Sequence, residues 1–60
     1  MQTQAAPWRL LVVDDHPVNR LLVKRVLQNT WPQAEILEAA DGQQCLDRLA
    51  QGPVDLVLMD

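Results

Sequence analysis

Hydrophobic and polar positions fall into five blocks along the chain. Leu10-Leu11-Val12-Val13 is an unbroken apolar run. It predicts a strand buried on both faces, because a half-exposed strand would alternate. This first strand opens at Trp8 and Arg9 and ends at Val13, and Trp8 is expected to pack at the lower edge of the domain. Val18, Leu22 and Val26 recur at four-residue spacing, widened by Leu21, Val23 and Leu27, with Arg20, Lys24 and Gln28 on a wet ridge opposite. That is an amphipathic helix from Pro17 to about Asn29, with proline in its first turn and Asp15 or His16 as the cap. Pro32 disfavours helical geometry at Trp31 and ends it. Ala34 to Ala39 is a second strand, made more polar by Glu35 and Glu38, as suits a sheet edge. Asp41-Gly42 is a turn into a short helix, roughly Gln43 to Gln51, with Leu46, Leu49 and Ala50 inward and Gly52-Pro53 as the stop. Val54 to Met59 is a third strand, also apolar, and Asp60 follows it.

The order β-α-β-α-β with short connections implies a parallel sheet, an α/β fold. Right-handed crossovers leave two strand orders to weigh. The order 1-2-3 would place the polar second strand in the middle. The order 2-1-3 places the unbroken apolar run there, with one helix on each face, and is preferred. It creates a topological switch point at the carboxyl ends of strands one and three, where open α/β sheets bind ligands. Asp14, Asp15 and Asp60 all fall at that end.

Composition narrows the function classes. With 5 Lys+Arg against 8 Asp+Glu the net charge is −3, which argues against a nucleic-acid face. A hydrophobic share of 48% suits a globular chain rather than a disordered one. One cysteine excludes an internal disulfide framework and fits a reducing compartment. No apolar run approaches the ~20 residues that span a bilayer. The expectation is a soluble, cytoplasmic segment without membrane contact of its own, in a parent that is free or tethered elsewhere. Residues 1–7 read as a leader or linker, and 8–60 as a single unit.

Three carboxylates converging across strands ~4.8 Å apart repel one another unless a cation neutralises them or one is protonated. Hard oxygen ligands suit Mg²⁺, with Mn²⁺ as the alternative. Beside such an ion, a carboxylate oxygen can attack a phosphoryl group. The residue types alone leave another reading open: Asp14 as a turn residue, Asp15 as a cap, Asp60 as a strand end.

Four segments point to a family. Leu11-Val12-Val13-Asp14-Asp15, Pro17-Val18-Asn19-Arg20, Ala39-Ala40-Asp41-Gly42 and Asp55-Leu56-Val57-Leu58-Met59-Asp60, in this order and spacing, resemble the receiver domain of two-component response regulators. The Pro-Val-Asn-Arg stretch looks most like receivers attached to hybrid sensor histidine kinases, although free-standing regulators carry it too. The resemblance implies a flavodoxin-like doubly wound sheet. It implies that Asp60 is the phospho-acceptor, that Asp15 binds Mg²⁺ directly and that Asp14 holds the ion partly through water. The implied donor is a phosphohistidine on a histidine kinase or a phosphotransfer domain, and small donors such as acetyl phosphate also serve the family. Receivers have five strands and this chain has three, so it reads as the N-terminal part of a longer domain. A hydroxyl residue, a lysine and a backbone carbonyl that normally complete the site lie beyond it. The open edge of strand three is then expected to self-associate or to need the missing half.

Two other functions compete. An inactive receiver-like binding module is one. An aspartate-nucleophile phosphatase of the haloacid-dehalogenase kind is the other, but it wants an acid two residues after its nucleophile, and Asp15 is followed by His16 and Pro17. His16 is expected to be a bystander or cap, with pH sensing as a minor reading. Cys45 is expected to pack as a small apolar residue. Asn19, Arg20, Lys24 and Arg25 are either a partner-docking surface beside the site or a plain solvated face.

Overall fold

A computed structural model describes residues 8–59. The leader at 1–7 and the proposed acceptor Asp60 lie outside the described residues. The elements are β1 (Arg9–Val13), α1 (Pro17–Thr30), β2 (Glu35–Ala39), α2 (Gly42–Gln51) and β3 (Leu56–Met59). The sheet is parallel with order β2-β1-β3, the truncated flavodoxin-like arrangement expected from the sequence. Leu11 pairs with Leu37 on one side and Val57 on the other. At the opposite end from the acids, Asp55 closes the sheet. Its Oδ2 accepts from the Arg9 N–H at 2.7 Å, and its own N–H donates to Arg9 O at 2.8 Å.

The apolar run of β1 is buried along Leu10–Val13 because each face meets a different helix. Leu10 and Val12 pack with Leu27, Val23, Ile36 and Leu58 on the α1 side. Leu11 and Val13 pack with Ala39, Cys45, Leu37 and Val54 on the α2 side. Cys45, only 5% exposed, is the structural thiol expected. Asp41 does more than make a turn. It is the N-cap of α2, accepting from Gln44 N–H at 2.8 Å, while the Gln44 side chain accepts from Ala40 N–H at 2.8 Å. A cap of this kind stabilises by about 1 kcal/mol.

Both helices turn a different face to the sheet than their leucine and valine spacing predicts. On α1 the expected inner residues Val18, Leu21, Leu22 and Val26 are all more than half exposed. The line Arg20–Val23–Lys24–Leu27 faces the sheet instead. Val23 and Leu27 reach the core from that line, and the cations on it fold down onto Glu38 of β2. On α2, Cys45 and Arg48 lie inward while Leu46 and Leu49 are exposed. The physical reason is shared. The Arg48 Nε–H donates to Glu38 O at 3.0 Å, so polar bonds to the β2 edge set each helix's rotation. β3 also departs from expectation: Leu56, Val57 and Met59 are exposed, because the helices lie over β1 and β2. Trp8, expected to pack, is 52% exposed and lines a cleft of about 240 Å³ with Leu10, Trp31, Asp55 and Leu56.

Candidate functional site

β1 ends at Val13, and the next residue is still held by the sheet. The Asp14 N–H donates to Ala39 O at 3.1 Å, which extends the parallel ladder by one step. Its side chain, 8% exposed, turns back so that Oδ1 accepts from the His16 N–H at 2.8 Å. This side-chain turn bends the chain into α1. Pro17 then starts the helix at its first position, where a missing N–H costs nothing. His16 occupies the cap position with extended backbone, but its side chain makes no cap bond, and neither does that of Asp15. The capping expectation for those two side chains is therefore wrong. The Asp14 carboxylate takes the loop's hydrogen bond instead, because it lies nearer the turn axis.

Asp15 is displayed outward, with a side chain 77% exposed. The His16 Nδ1 lies 2.8 Å from Asp15 Oδ1 and 3.3 Å from Asp14 Oδ1. One ligand atom from each of Asp14, Asp15 and His16 falls within a 4.8 Å span. Two carboxylates and an imidazole at that spacing fit a small divalent cation, the oxygens suiting Mg²⁺ and the nitrogen favouring Mn²⁺. A cleft of about 220 Å³ opens beside them, lined by Val12, Val13, Asp14, Val23, Leu58 and Met59. Val13 pairs with Met59, so the two strands deliver their ends to the same rim. Asp60 follows Met59 in the sequence.

The sequence reading missed a charged cluster beside this rim. The Arg20 Nε–H donates to Glu38 Oε1 at 3.1 Å, and its Nη1 donates to the backbone oxygen of Asp14 at 2.8 Å. The Lys24 Nζ donates to the other oxygen of Glu38 at 2.8 Å. Cations four residues apart on α1, facing an acid near the carboxyl end of the edge strand, were the available signal.

The hydrogen bond from Lys24 holds the Glu38 carboxyl below its ordinary value of 4.5; partial burial opposes this, and Arg20 adds to it. A depressed folded-state value means that ionised Glu38 stabilises the fold fully above about 4.5. That contribution fades as the pH falls through the lower value. Lys24→Met should therefore lower the melting midpoint by a few degrees at neutral pH, as a screened pair would. The gap from the parent should narrow once the pH drops below about 4.5. A gap that stays constant on acidification would show that Lys24 stabilises through its stem rather than its charge.

Comparison with known proteins decides the family. The response regulator receiver domain matches residues 10–60. The chain belongs to this family. Receiver relatives include both regulators and sensor kinases, as the resemblance implied. The nitrate/nitrite response regulator protein NarP of Escherichia coli (strain K12) is 32% identical over 57 residues, covering 95% of this chain and 26% of that protein. The sensor protein EvgS of the same strain is 41% identical over 51 residues, 85% of this chain and 4% of that protein. The sensor histidine kinase GacS of Pseudomonas protegens is 38% identical over 52 residues, 87% of this chain and 6% of that protein. The receiver chain thus spans about a quarter or less of the length of these relatives. No solved structure gives a significant match. Among the described residues of this receiver, no helix is long and apolar enough to cross a membrane.

Proposed function

We propose that the chain accepts a phosphoryl group on Asp60, with a divalent ion held by Asp14, Asp15 and Asp60 itself. Residues 8–60 act in this reading as the N-terminal, three-strand portion of a receiver. One observation carries the reading: Asp14 and Asp15 sit at the carboxyl end of the central strand, at the switch between β2 and β3, in a chain of receiver sequence. The donor is a phosphohistidine of a histidine kinase or phosphotransfer domain. A carboxylate oxygen of Asp60 forms a bond to phosphorus, and the bond from phosphorus to the imidazole nitrogen breaks. The imidazole leaves with the electron pair, and Asp60 becomes an acyl phosphate. Mg²⁺, or Mn²⁺ in its place, supplies charge neutralisation at the phosphoryl oxygens when bound. Asp14, nearly buried and fixed by His16 N–H, holds its carboxylate in one orientation. Asp15, exposed, is free to meet an ion arriving from solvent.

The test is incubation of the full-length protein with acetyl phosphate and Mg²⁺, read by intact mass and peptide mapping. The expected result is one added phosphoryl group on Asp60, absent when a chelator replaces Mg²⁺. A group that maps elsewhere, or that forms equally well with the chelator, refutes the proposal.

A further inference from the structure

Asp14 is fixed at three points. Its N–H is tied to Ala39 O, its Oδ1 to the His16 N–H, and its carbonyl oxygen to the Arg20 guanidinium. The first two ties come from the sheet and the turn itself. The third crosses a full turn of α1. Arg20 is in turn anchored, because its Nε–H bonds Glu38, whose second oxygen is taken by Lys24. The Arg20 side chain is only 19% exposed, so the guanidinium is packed between helix and strand rather than waving in water. Only a planar fork can bond a carboxylate and a carbonyl in two directions at once; a lysine ammonium is a point donor and lacks that geometry.

We propose that Arg20 is a positioning residue for the acidic rim. It fixes the backbone of Asp14, and through it the β1–α1 turn, so that Asp14 and Asp15 present their carboxylates together. This inference rests on the reading of that rim as a divalent-ion site. It makes a sign prediction that a purely electrostatic role does not share. A guanidinium near the acids repels a dication, so deleting it for charge alone would tighten binding. Deleting a strut loosens the acids and weakens binding. Lys24 is the internal control, since it pairs with the same Glu38 but makes no bond to Asp14.

The experiment measures Mn²⁺ and Mg²⁺ affinity by calorimetry on the full-length protein, its Arg20→Ala and Arg20→Lys variants, and Lys24→Ala. Amide exchange at Asp14 and His16 is followed by NMR without metal. Arg20→Ala should bind about tenfold or more weakly, in the range of lost outer supports of metal ligands. Arg20→Lys should recover only part of that, and Lys24→Ala should bind as the parent does while losing comparable thermal stability. The Asp14 and His16 amides should exchange faster in Arg20→Ala alone. Arg20→Ala binding as tightly as the parent, or more tightly, overturns the strut, as does unchanged amide exchange. A parent that binds neither ion overturns the site reading instead, so the two failures are distinct.

Discussion

Leu11→Ala abolishes the cooperative melting transition, as followed by far-UV circular dichroism. Leu11 is fully buried in the middle of β1, between Leu37 and Val57 and against Val13, Ala39 and Cys45. A leucine-to-alanine change at such a site costs about 2–5 kcal/mol, the larger values where the cavity does not collapse. Collapse is hindered here, because the backbone at Leu11 is hydrogen-bonded into the sheet on both sides. The opposing quantity is the total stability. At roughly 0.05–0.15 kcal/mol per residue, a unit of this size has only about 3–9 kcal/mol in all. The loss is therefore of the same order as the whole. Leu21→Ala supplies the contrast, since Leu21 is 53% exposed. A surface change of that kind should stay within about 0.5 kcal/mol. A Leu11→Ala protein that melts within a few degrees of the parent would mean that β1 is not the centre of the core.

The strand order was legible because of a contrast between two strands. Leu10–Val13 has no polar position, whereas Glu35 and Glu38 interrupt β2. Only a central strand needs apolar residues on both faces, so the order 2-1-3 followed. The helix faces were misread for a related reason. Periodicity shows that a helix has an apolar stripe, not which partner the stripe meets. On α1 both Val18–Leu22–Val26 and Val23–Leu27 are apolar, and the larger set was taken as the sheet face. The structure gives that face to the smaller set, because Arg20 and Lys24 flank it and find Glu38 across the gap. Ion pairs between distant segments leave no periodic trace, so they decided the rotation unseen. The exposed stripe on α1, Leu46 and Leu49 on α2, and the outer side of β3 are the apolar faces for which the described residues provide no partner. The acidic pair was readable from its place after a buried strand. Its fine structure was not, since the bond from His16 N–H to Asp14 depends on a turn angle that residue identity does not specify.

Asp60→Asn and Asp15→Asn separate the two roles assigned to the acids, with acetyl phosphate and Mg²⁺ as reagents and intact mass as the readout. An amide oxygen carries no charge and does not displace a leaving group from phosphorus at neutral pH. Asp60→Asn should therefore accept no phosphoryl group at any Mg²⁺ concentration, while still binding the ion through Asp14 and Asp15. Asp15→Asn keeps the nucleophile and weakens the ion's hold. A bound cation contributes several kcal/mol of charge stabilisation in phosphoryl transfer. Each 1.36 kcal/mol is a factor of ten, so the rate should fall about 10²–10³-fold. Raising Mg²⁺ should restore part of that rate, because the lesion is in occupancy as well as geometry. The two variants thus differ in kind: one loss is absolute, the other yields to mass action. Residual phosphorylation in Asp60→Asn would take the acceptor role away from Asp60. An Asp15→Asn rate equal to the parent's would take the ion away from the end of β1, and with it the reason for two acids there.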